Sequence, residues 1–328
     1  MDDKTIDAGW MPVDAVVVDG RPGLLWMQLA DVSFSEPFFQ QTVDRVRAEH
    51  PDRTERFTEF DALLQLNHVL PRVEPAGFIF HSSRCGSTLL ANACRCVDDS
   101  IVLSEPFPID KLVARFITDA HDPVKETLYS VFLRAVVNAL AQSSKGRVFI
   151  KFSCCSVSQL ERISRIWPRV PWVFLYRDPI ETIVSNVTNP PEWLLDEDRR
   201  ILAHITATST AQVTEMSLEE LCARSIGSFF FTAHTLANDT GLLLNYNQLS
   251  SPAIGSILQF FNVRPSAAEL ERIASGTRVY SKEVSATRVF EPDTDAKQKL
   301  ASDHVREVAE RWAMQPYALL ELKNHELR

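Results

Sequence analysis

From residue 77 onward, short apolar segments alternate with longer segments in which apolar residues recur every three or four positions. The short segments have the length of buried strands, and the longer ones have the spacing of one helix face. The predicted strands are GFIFHSS, RVFIKFS, VPWVFLYRD and GLLLNYNQL. The predicted helices are STLLANACRCV, SVSQLERISRIW, PIETIVSNV and PAIGSILQFFNV. This alternation predicts an α/β fold in which a central parallel sheet carries helices on both faces.

The N-terminal part of the chain has a different pattern. DAVVVDGRPGLLWMQL predicts two strands around an Asp-Gly and Pro-Gly turn, and EPFFQQTVDRVRAEH has helical spacing and ends before Pro51. The turn-rich segment PRVEPAG comes next. We therefore expect an N-terminal accessory region, residues 1–72, followed by one α/β domain, residues 73–328. Within that domain, residues 107–143 and 192–238 are predicted to be long helical insertions.

Charge and hydropathy exclude some classes of function. The 328 residues carry a formal net charge of −9, and the pI is about 5.4, which argues against a broad nucleic-acid-binding surface. The acidic N-terminus lacks the apolar run of a secretory signal, and no apolar segment has the length of a membrane span. We therefore expect neither a nucleic-acid nor a membrane partner. A local cluster of arginines, lysines and helix N-termini would still let an acidic protein bind an anion.

The spacing of the six cysteines suits neither a disulfide framework nor a metal site, because two pairs are adjacent or nearly so. The chain is therefore expected to be cytoplasmic, with reduced thiols. The cysteines are Cys85, Cys94, Cys96, Cys154, Cys155 and Cys222.

The turn after the strand GFIFHSS has the chemistry of an anion-binding loop. Between a buried strand and a helix, a loop presents backbone N–H groups and the positive helix end to an anion. Glycine lets the backbone approach a phosphate, hydroxyls add donors and arginine supplies a cation. The alternative is an ordinary serine-rich turn. The candidate residues are Ser83, Arg84, Cys85, Gly86, Ser87, Thr88 and Leu89.

This loop differs from the loop that binds nucleoside triphosphates. In GxxxxGK[ST] a lysine follows the second glycine and contacts the terminal phosphates; here Ser87 stands at that position and Arg84 provides the cation earlier. A triphosphate usually needs a lysine and Mg²⁺. A phosphosulfate carries less charge, so that amides, hydroxyls and one cation suffice.

A second candidate segment is VPWVFLYRDPIETIVSNV. It puts Arg177 at the end of a buried strand and Ser185 on the next helix. Ligands of open α/β sheets bind at the carboxyl ends of the strands. Arg177 can bind a phosphate through two N–H groups, and Ser185 can donate from the helix face. The alternative is that Arg177 forms a surface ion pair with Asp178 or Glu181.

Together these segments resemble the sulfotransferases that use 3′-phosphoadenosine-5′-phosphosulfate (PAPS). SSRCGST is similar to their 5′-phosphosulfate loop, with Arg84 at the basic position, and YRDPIETIVS is similar to their 3′-phosphate segment. VFIKFS resembles their middle strand, which ends in a lysine, here Lys151, and LLLNYNQLSSPAIGSILQFFNV resembles a later segment. The resemblance covers residues 77–312. It implies a P-loop-type three-layer fold, PAPS as co-substrate, 3′-phosphoadenosine-5′-phosphate (PAP) as product, and no metal.

The sequence departs from the family pattern at several positions. The loop begins with Ser83 instead of proline, and Cys85 replaces a serine. Ser153 stands where cytosolic members have a catalytic histidine, and Asn247 stands where glutamate is usual. The C-terminal RKGxxGDW-type loop is absent from the sequence. The donor site is therefore expected to be intact, while the general base must come from another position.

The resemblance also suggests catalytic roles. Arg84 and Lys151 are the candidates for stabilising the leaving phosphate. Glu105 is the candidate base, because it follows the short apolar strand IVLS and some members use a glutamate from this region. Its alternative role is at a helix start, where a carboxylate favours the helix dipole, and His81 is a rival base.

A segment near the C-terminus, SGTRVYSKEVSATRVF, is rich in hydroxyls and cations. Ser281 and Lys282 resemble a serine–lysine pair that contacts the nucleotide in some members of the family. The alternative is a plain surface loop.

Two other functions remain open from the sequence. One is an ATP-dependent small-molecule kinase, although the lysine after Gly86 is missing and no Mg²⁺-binding aspartate is evident at a strand end. The other is a non-catalytic nucleotide-binding protein, since fold alone does not establish function. The acceptor is expected to be a small molecule or metabolite with a hydroxyl or amine, and the sequence specifies neither it nor the oligomeric state.

Overall fold

The computed structural model describes residue 6 and residues 9–66, 70–117, 122–142, 144–276 and 294–326. Its N-terminal part is an antiparallel sheet with strand order β1-β2-β3, accompanied by two helices. These elements are β1 (Trp10–Val18), β2 (Arg21–Gln28), α1 (Phe39–Glu49), β3 (Glu55–Glu59) and α2 (Phe60–Leu66). The predicted hairpin and helix are therefore present, and β3 and α2 were not predicted.

The hairpin turn lies at Asp19-Gly20 alone. Both residues have positive φ, 49° and 76°, and Val18 pairs with Arg21. Two consecutive left-handed residues form the turn whose twist matches paired strands, and Asp-Gly is a preferred sequence for it. The prediction that a Pro-Gly turn also belongs to this loop was wrong, because Pro22 and Gly23 lie within β2.

The main sheet has five parallel strands in the order β5-β6-β4-β7-β8. The strands are β4 (Gly77–His81), β5 (Ser100–Ser104), β6 (Arg147–Lys151), β7 (Trp172–Tyr176) and β8 (Gly241–Asn245). The predicted α/β fold with a central parallel sheet is thus confirmed. Because every neighbouring pair is parallel, all five carboxyl ends lie along one edge of the sheet.

Helices cover this sheet on both faces. Between β4 and β7 they are α3 (Ser87–Arg95), α4 (Phe107–Phe116), α5 (Pro123–Ala141) and α6 (Leu160–Ile166), the last preceded by a 3₁₀ turn (Cys154–Gln159). Between β7 and β8 they are α7 (Pro179–Thr188), α8 (Glu192–Leu195), α9 (Arg200–Thr206), α10 (Thr210–Glu215) and α11 (Leu218–Leu236). After β8 and a 3₁₀ turn (Tyr246–Gln248) come α12 (Ser251–Phe260), α13 (Ala267–Gly276), α14 (Thr294–Leu300), α15 (Asp303–Trp312) and α16 (Met314–Glu326). The predicted helical insertions contain α4, α5 and α8–α11.

Alternating residues of the strands belong to two separate hydrophobic cores. Phe78 and Phe80 of β4 join the larger core, together with residues of β1, α5 and α11. Ile79, between them, faces the smaller core, which α3, α12 and α13 complete. Side chains of a strand point alternately to its two faces, so an uninterrupted apolar strand is buried on both sides. That burial explains why the strands were visible as continuous apolar runs.

The N-terminal sheet packs against helices of the main domain. The Phe60 and Phe132 rings have centroids 5.4 Å apart, and Lys111 Nζ lies 2.5 Å from Asp14 Oδ1. Residues of β1 and β2 share the larger core with α4 and α5. The division of the chain at residue 72 stays a proposal about domain organisation.

Within the described ranges, no helix is both long enough and apolar enough to cross a membrane.

Candidate active site

The candidate residues gather where the strands end. The turn after β4 contains Arg84, Glu105 follows β5, Lys151 is the last residue of β6 and Arg177 follows β7. Residues far apart in sequence therefore share the carboxyl edge of one sheet, which is where open α/β sheets bind their ligands.

The loop after β4 has the backbone of an anion cradle. Ser83, Arg84 and Gly86 adopt positive φ values of 72°, 52° and 85°. Gly86 is the N-cap of α3 and, having no side chain, leaves the first N–H groups of the helix without a capping acceptor. A Cβ at Gly86 would lie 2.6 Å from Leu249 Cδ2. The positive φ therefore favours glycine at this position, and the helix end keeps its donors for a ligand.

Asn186 of α7 fixes the side chains of this loop. Its Oδ1 accepts hydrogen bonds from Ser83 Oγ at 3.0 Å and from Arg84 Nε at 3.3 Å. Arg84 also donates to the Asn189 carbonyl at 2.5 Å. The loop and α7, which the sequence identified separately, are thus directly connected.

The remaining loop residues differ in what they offer a ligand. Cys85 is fully buried and its Sγ donates to the Leu175 carbonyl at 3.1 Å; burial raises the pKa of its thiol. A ligand in this loop could therefore contact the backbone of Cys85 but not its side chain. Ser87 and Thr88 are buried in the first turn of α3, and Leu89 is half-buried.

Lys151, Glu105 and His81 form one cluster. Lys151 is 1% exposed and its Nζ donates to Glu105 Oε1. His81 Nε2 lies 3.3 Å from the same oxygen. Burial by itself would raise the pKa of Glu105, but the charge of Lys151 and the contact with His81 outweigh burial and hold the pKa well below its usual range. Glu105 is therefore an ionised carboxylate beside a buried ammonium.

The hydrogen bonding of His81 decides its tautomer. Its Nδ1 accepts the backbone N–H of Ser83 at 3.1 Å, so the proton of the neutral imidazole lies on Nε2, which faces Glu105. This histidine thus contacts both the Glu105 carboxylate and the loop that begins at Ser83.

Glu105 is held by backbone as well as side-chain contacts. Its φ is 50°, a left-handed value that costs energy in a non-glycine residue. Its N–H donates to the Lys151 carbonyl at 2.7 Å. The helix α4 begins two residues later, at Phe107. The strained backbone turns the carboxylate toward Lys151 instead of leaving it at the helix start.

Phe38, from the N-terminal region, covers the other side of Lys151. The ammonium lies 5.0 Å from the centroid of the Phe38 ring. A cation over an aromatic ring is stabilised by the ring quadrupole. Lys151 is thus contacted by a carboxylate and a ring that are 67 residues apart in the sequence.

Arg177 is buried and paired. Its Nε donates to Glu181 Oε2 at 2.5 Å, and both side chains are 4% exposed. Its guanidinium lies 4.3 Å from the centroid of the Tyr246 ring and donates to Thr294 Oγ1 at 3.4 Å. The ion pair with Glu181 that the sequence offered as an alternative is therefore present, but it lies in the interior. Asp178 instead caps α7 by accepting the Glu181 N–H at 3.1 Å.

The other predicted donor-binding residues are Ser185, Ser281 and Lys282. Ser185 lies half-buried on α7, next to Asn186. Ser281 and Lys282 fall in residues 277–293, outside the described residues.

Asp110 of α4 is a carboxyl that the sequence analysis missed. Its Oδ1 is buried and, within the described part of the chain, has no hydrogen-bond partner. Burial and then the charge of Glu105 raise the pKa of Asp110 to about 7, although Ser153 and Lys151 act in the opposite direction. The edge therefore holds one ionised carboxylate and a second carboxyl that titrates near neutrality. A carboxylate on an amphipathic helix normally lies in solvent, so the hydrophobic pattern gave no indication that the Asp110 carboxyl is buried.

Asn186, Phe38 and Tyr246 were missed for other reasons. Asn186 directly follows Ser185 in the sequence. Its side-chain oxygen accepts a hydrogen bond from the loop, whereas the predicted site residues were chosen as donors to phosphate. Tyr246 and Phe38 come from segments remote in sequence, and aromatic residues usually signal core. Their positions depend on tertiary structure alone.

No family model matches the chain, and no curated protein matches it. Several solved structures do. The sulfotransferase domain from the curacin biosynthetic pathway is 14% identical, with 74% of this chain and 98% of that chain covered and a TM-score of 0.42. Sulfotransferase STF9 from Mycobacterium avium is 10% identical, with 85% and 88% covered and a TM-score of 0.43. Retinol dehydratase in a complex with retinol and PAP is 13% identical, with 80% and 86% covered and a TM-score of 0.37.

Two of these three neighbours are sulfotransferases, which is the family that the sequence motifs resemble.

Proposed function

We propose that this chain is a sulfotransferase that moves the sulfonate group of PAPS to a hydroxyl or amine of a small-molecule acceptor. The observation that carries the proposal is the Arg84 loop beside the buried Lys151–Glu105 pair. An anion-binding helix N-terminus, a cation and a carboxylate base are the groups that sulfonyl transfer requires. The sequence motifs around Arg84, Lys151 and Arg177 support the same function.

The proposed hydrogen-bond donors suit a nucleotide that carries phosphate groups at both the 5′ and the 3′ positions of its ribose. The loop from Ser83 to Leu89 offers N–H groups, hydroxyls and one guanidinium to the 5′-phosphosulfate. Arg177 is the proposed ligand of the 3′-phosphate. Since Glu181 and Thr294 contact Arg177, a bound phosphate would share or replace those contacts.

In the proposed reaction, the acceptor oxygen or nitrogen bonds to sulfur as the bond from sulfur to the bridging phosphate oxygen breaks. Glu105 takes the acceptor proton, and the bond electrons leave with the phosphate. Lys151 and Arg84 stabilise that leaving charge. While Lys151 pairs with Glu105, the carboxylate is a weak base because its pKa is low. When the anionic donor draws the Lys151 ammonium away, Glu105 becomes a stronger base, so donor binding activates it.

The cellular setting is part of the proposal. All six cysteines lie within the described ranges and are free thiols, which is typical of a reducing compartment. We propose a cytoplasmic enzyme.

The function is tested by thermal unfolding with PAP, with ATP and Mg²⁺, and without ligand. A ligand that binds only the native state adds about 2.7 kcal/mol at 100 times its Kd. We expect PAP to raise the Tm in the presence of EDTA, and ATP with Mg²⁺ to raise it less. A larger shift with ATP and Mg²⁺ would instead favour a kinase.

Arg177→Ala is expected to weaken PAP binding by about 1.5–3 kcal/mol, roughly 10–150-fold, because a charge-assisted contact is lost. The matched control is Arg165→Ala, which removes an exposed arginine paired with Glu161 on α6. Calorimetry with PAP measures both variants. Equal PAP affinities for the two variants and the unsubstituted protein would remove Arg177 from the donor site.

A further inference from the structure

The N-terminal region has no role in the function proposed so far, yet one of its side chains reaches the reacting end of the site. Phe38 precedes α1 and lies in a segment outside the sequence resemblance to sulfotransferases. Its ring stands over the Lys151 ammonium at 5.0 Å. The ring is half-buried, so part of it remains accessible.

The segment that carries Phe38 is anchored on two sides. Glu36 is buried and accepts hydrogen bonds from Thr42 Oγ1 and Arg45 Nε, each at 2.6 Å. On the other side, Arg95 of α3 donates to the Pro37 carbonyl at 3.3 Å. Glu36 and Pro37, the two residues before Phe38, are therefore both held in place, and α3 holds Pro37. These contacts hold the Phe38 ring at its position in the folded protein.

The ring contributes to the burial of Lys151. The ammonium is 1% exposed, Glu105 contacts it on one side, and Phe38 lies over another. Water is itself a possible sulfonate acceptor, and closing a site against it strengthens the interactions inside and suppresses hydrolysis. An aromatic ring at this point also gives an acceptor an apolar surface to pack on.

We propose that Phe38 forms the acceptor-side wall of the site, excluding water from the sulfonate and selecting acceptors whose hydroxyl is carried by an aromatic group. The proposal rests on the proposed function. It gives the N-terminal region a defined task, which is to complete the site with one aromatic side chain.

The first test is the hydrolysis of PAPS without an added acceptor. Phe38→Ala is expected to increase release of PAP and sulfate by about five- to tenfold, because water enters beside Lys151. Phe38→Leu, which keeps more apolar volume, is expected to increase hydrolysis less than Phe38→Ala does. The matched control is Phe231→Ala, which removes a ring that is 57% exposed on α11; it is expected to change nothing.

The second test measures binding of 2-naphthol to the PAP-bound protein by calorimetry. We expect Phe38→Ala to lose about tenfold in naphthol affinity while its PAP affinity is unchanged. Unchanged hydrolysis, unchanged naphthol affinity, or no naphthol binding to the unsubstituted protein would each overturn the Phe38 proposal while PAP binding is intact. Failure of the unsubstituted protein to bind PAP would instead overturn the proposed function itself.

Discussion

Glu105→Gln is expected to lower the rate of the chemical step by about 10²–10⁴-fold while leaving PAP affinity close to that of the unsubstituted protein. Glutamine has nearly the same size and keeps an oxygen that can accept from Lys151 and His81, which now both contact Oε1. It cannot take up the acceptor proton. The substitution therefore removes the proposed base with little change in the shape of the site.

The Glu105→Gln variant also distinguishes the base role from the alternative role of Glu105 at the start of α4. A carboxylate that only favoured the dipole of α4 would contribute to stability by about 0.3–1 kcal/mol and would not affect turnover. Its contacts with Lys151 and His81 instead turn it toward the sheet edge. A near-normal rate for Glu105→Gln would therefore leave the proton to another group, and Asp110, whose pKa is raised to about 7, would be the next carboxyl to examine.

The measurement is a single turnover with saturating donor and an accepted acceptor, which separates chemistry from product release. Glu161→Gln serves as the matched control, because Glu161 lies exposed on α6 and pairs only with Arg165 among the contacts described for it. Calorimetry with PAP on both variants shows whether donor binding is preserved. Loss of PAP binding in Glu105→Gln would contradict the assignment of Glu105 to the acceptor side.

The parts of this site that depend on local pattern were predictable. The strands of the main sheet are buried on both faces and so appear as apolar runs, and the loop at Gly86 needs small and hydroxylated residues at fixed offsets. Because parallel strands bring their carboxyl ends to one edge, the strand ends that carry Lys151 and Arg177 could be assigned to one site.

The parts that depend on side-chain packing were not predictable. Arg177 could be identified as a candidate, but its burial against Glu181 and Tyr246 follows from how α7 packs on the loop after β8. The sequence offered a surface ion pair, since adjacent charges on a helix are usually solvated. Phe38 lies more than one hundred residues from Lys151 along the chain, and no periodicity connects them.

Lys151→Met is expected to reduce the chemical rate by about 10²–10³-fold, which is typical when one donor that stabilises developing charge is removed. Methionine fills much of the same volume, so Phe38 keeps a neighbour. The substitution also acts on stability, because Glu105 loses the ammonium that held its pKa low. Breaking a buried ion pair from one side costs about 3 kcal/mol, since a charge is left uncompensated.

The pH dependence of that loss has a definite sign. In the unsubstituted protein the pKa of Glu105 is lowered, so its contribution to stability is present above the carboxyl's unfolded pKa and is lost as pH falls through the folded value. In Lys151→Met the contact with His81 is left to oppose burial, and we expect burial to outweigh it and to raise the folded pKa of Glu105 above its unfolded value. The folded variant then binds a proton that the unfolded chain releases, so its stability falls as pH rises.

Urea unfolding at pH 5 and pH 8 measures this difference, and the double variant Lys151→Met/Glu105→Gln separates its causes. Removing the carboxylate charge as well leaves no buried ion, so the double variant is expected to recover most of the stability at pH 8 and none of the rate. Equal loss of stability for Lys151→Met at both pH values would mean that Glu105 does not carry the stranded charge. Recovery of rate in the double variant, which lacks the Glu105 carboxylate, would contradict the role of Glu105 as the base. It would also mean that Lys151 acts only by neutralising that buried charge, and the leaving phosphate would then depend on Arg84 alone.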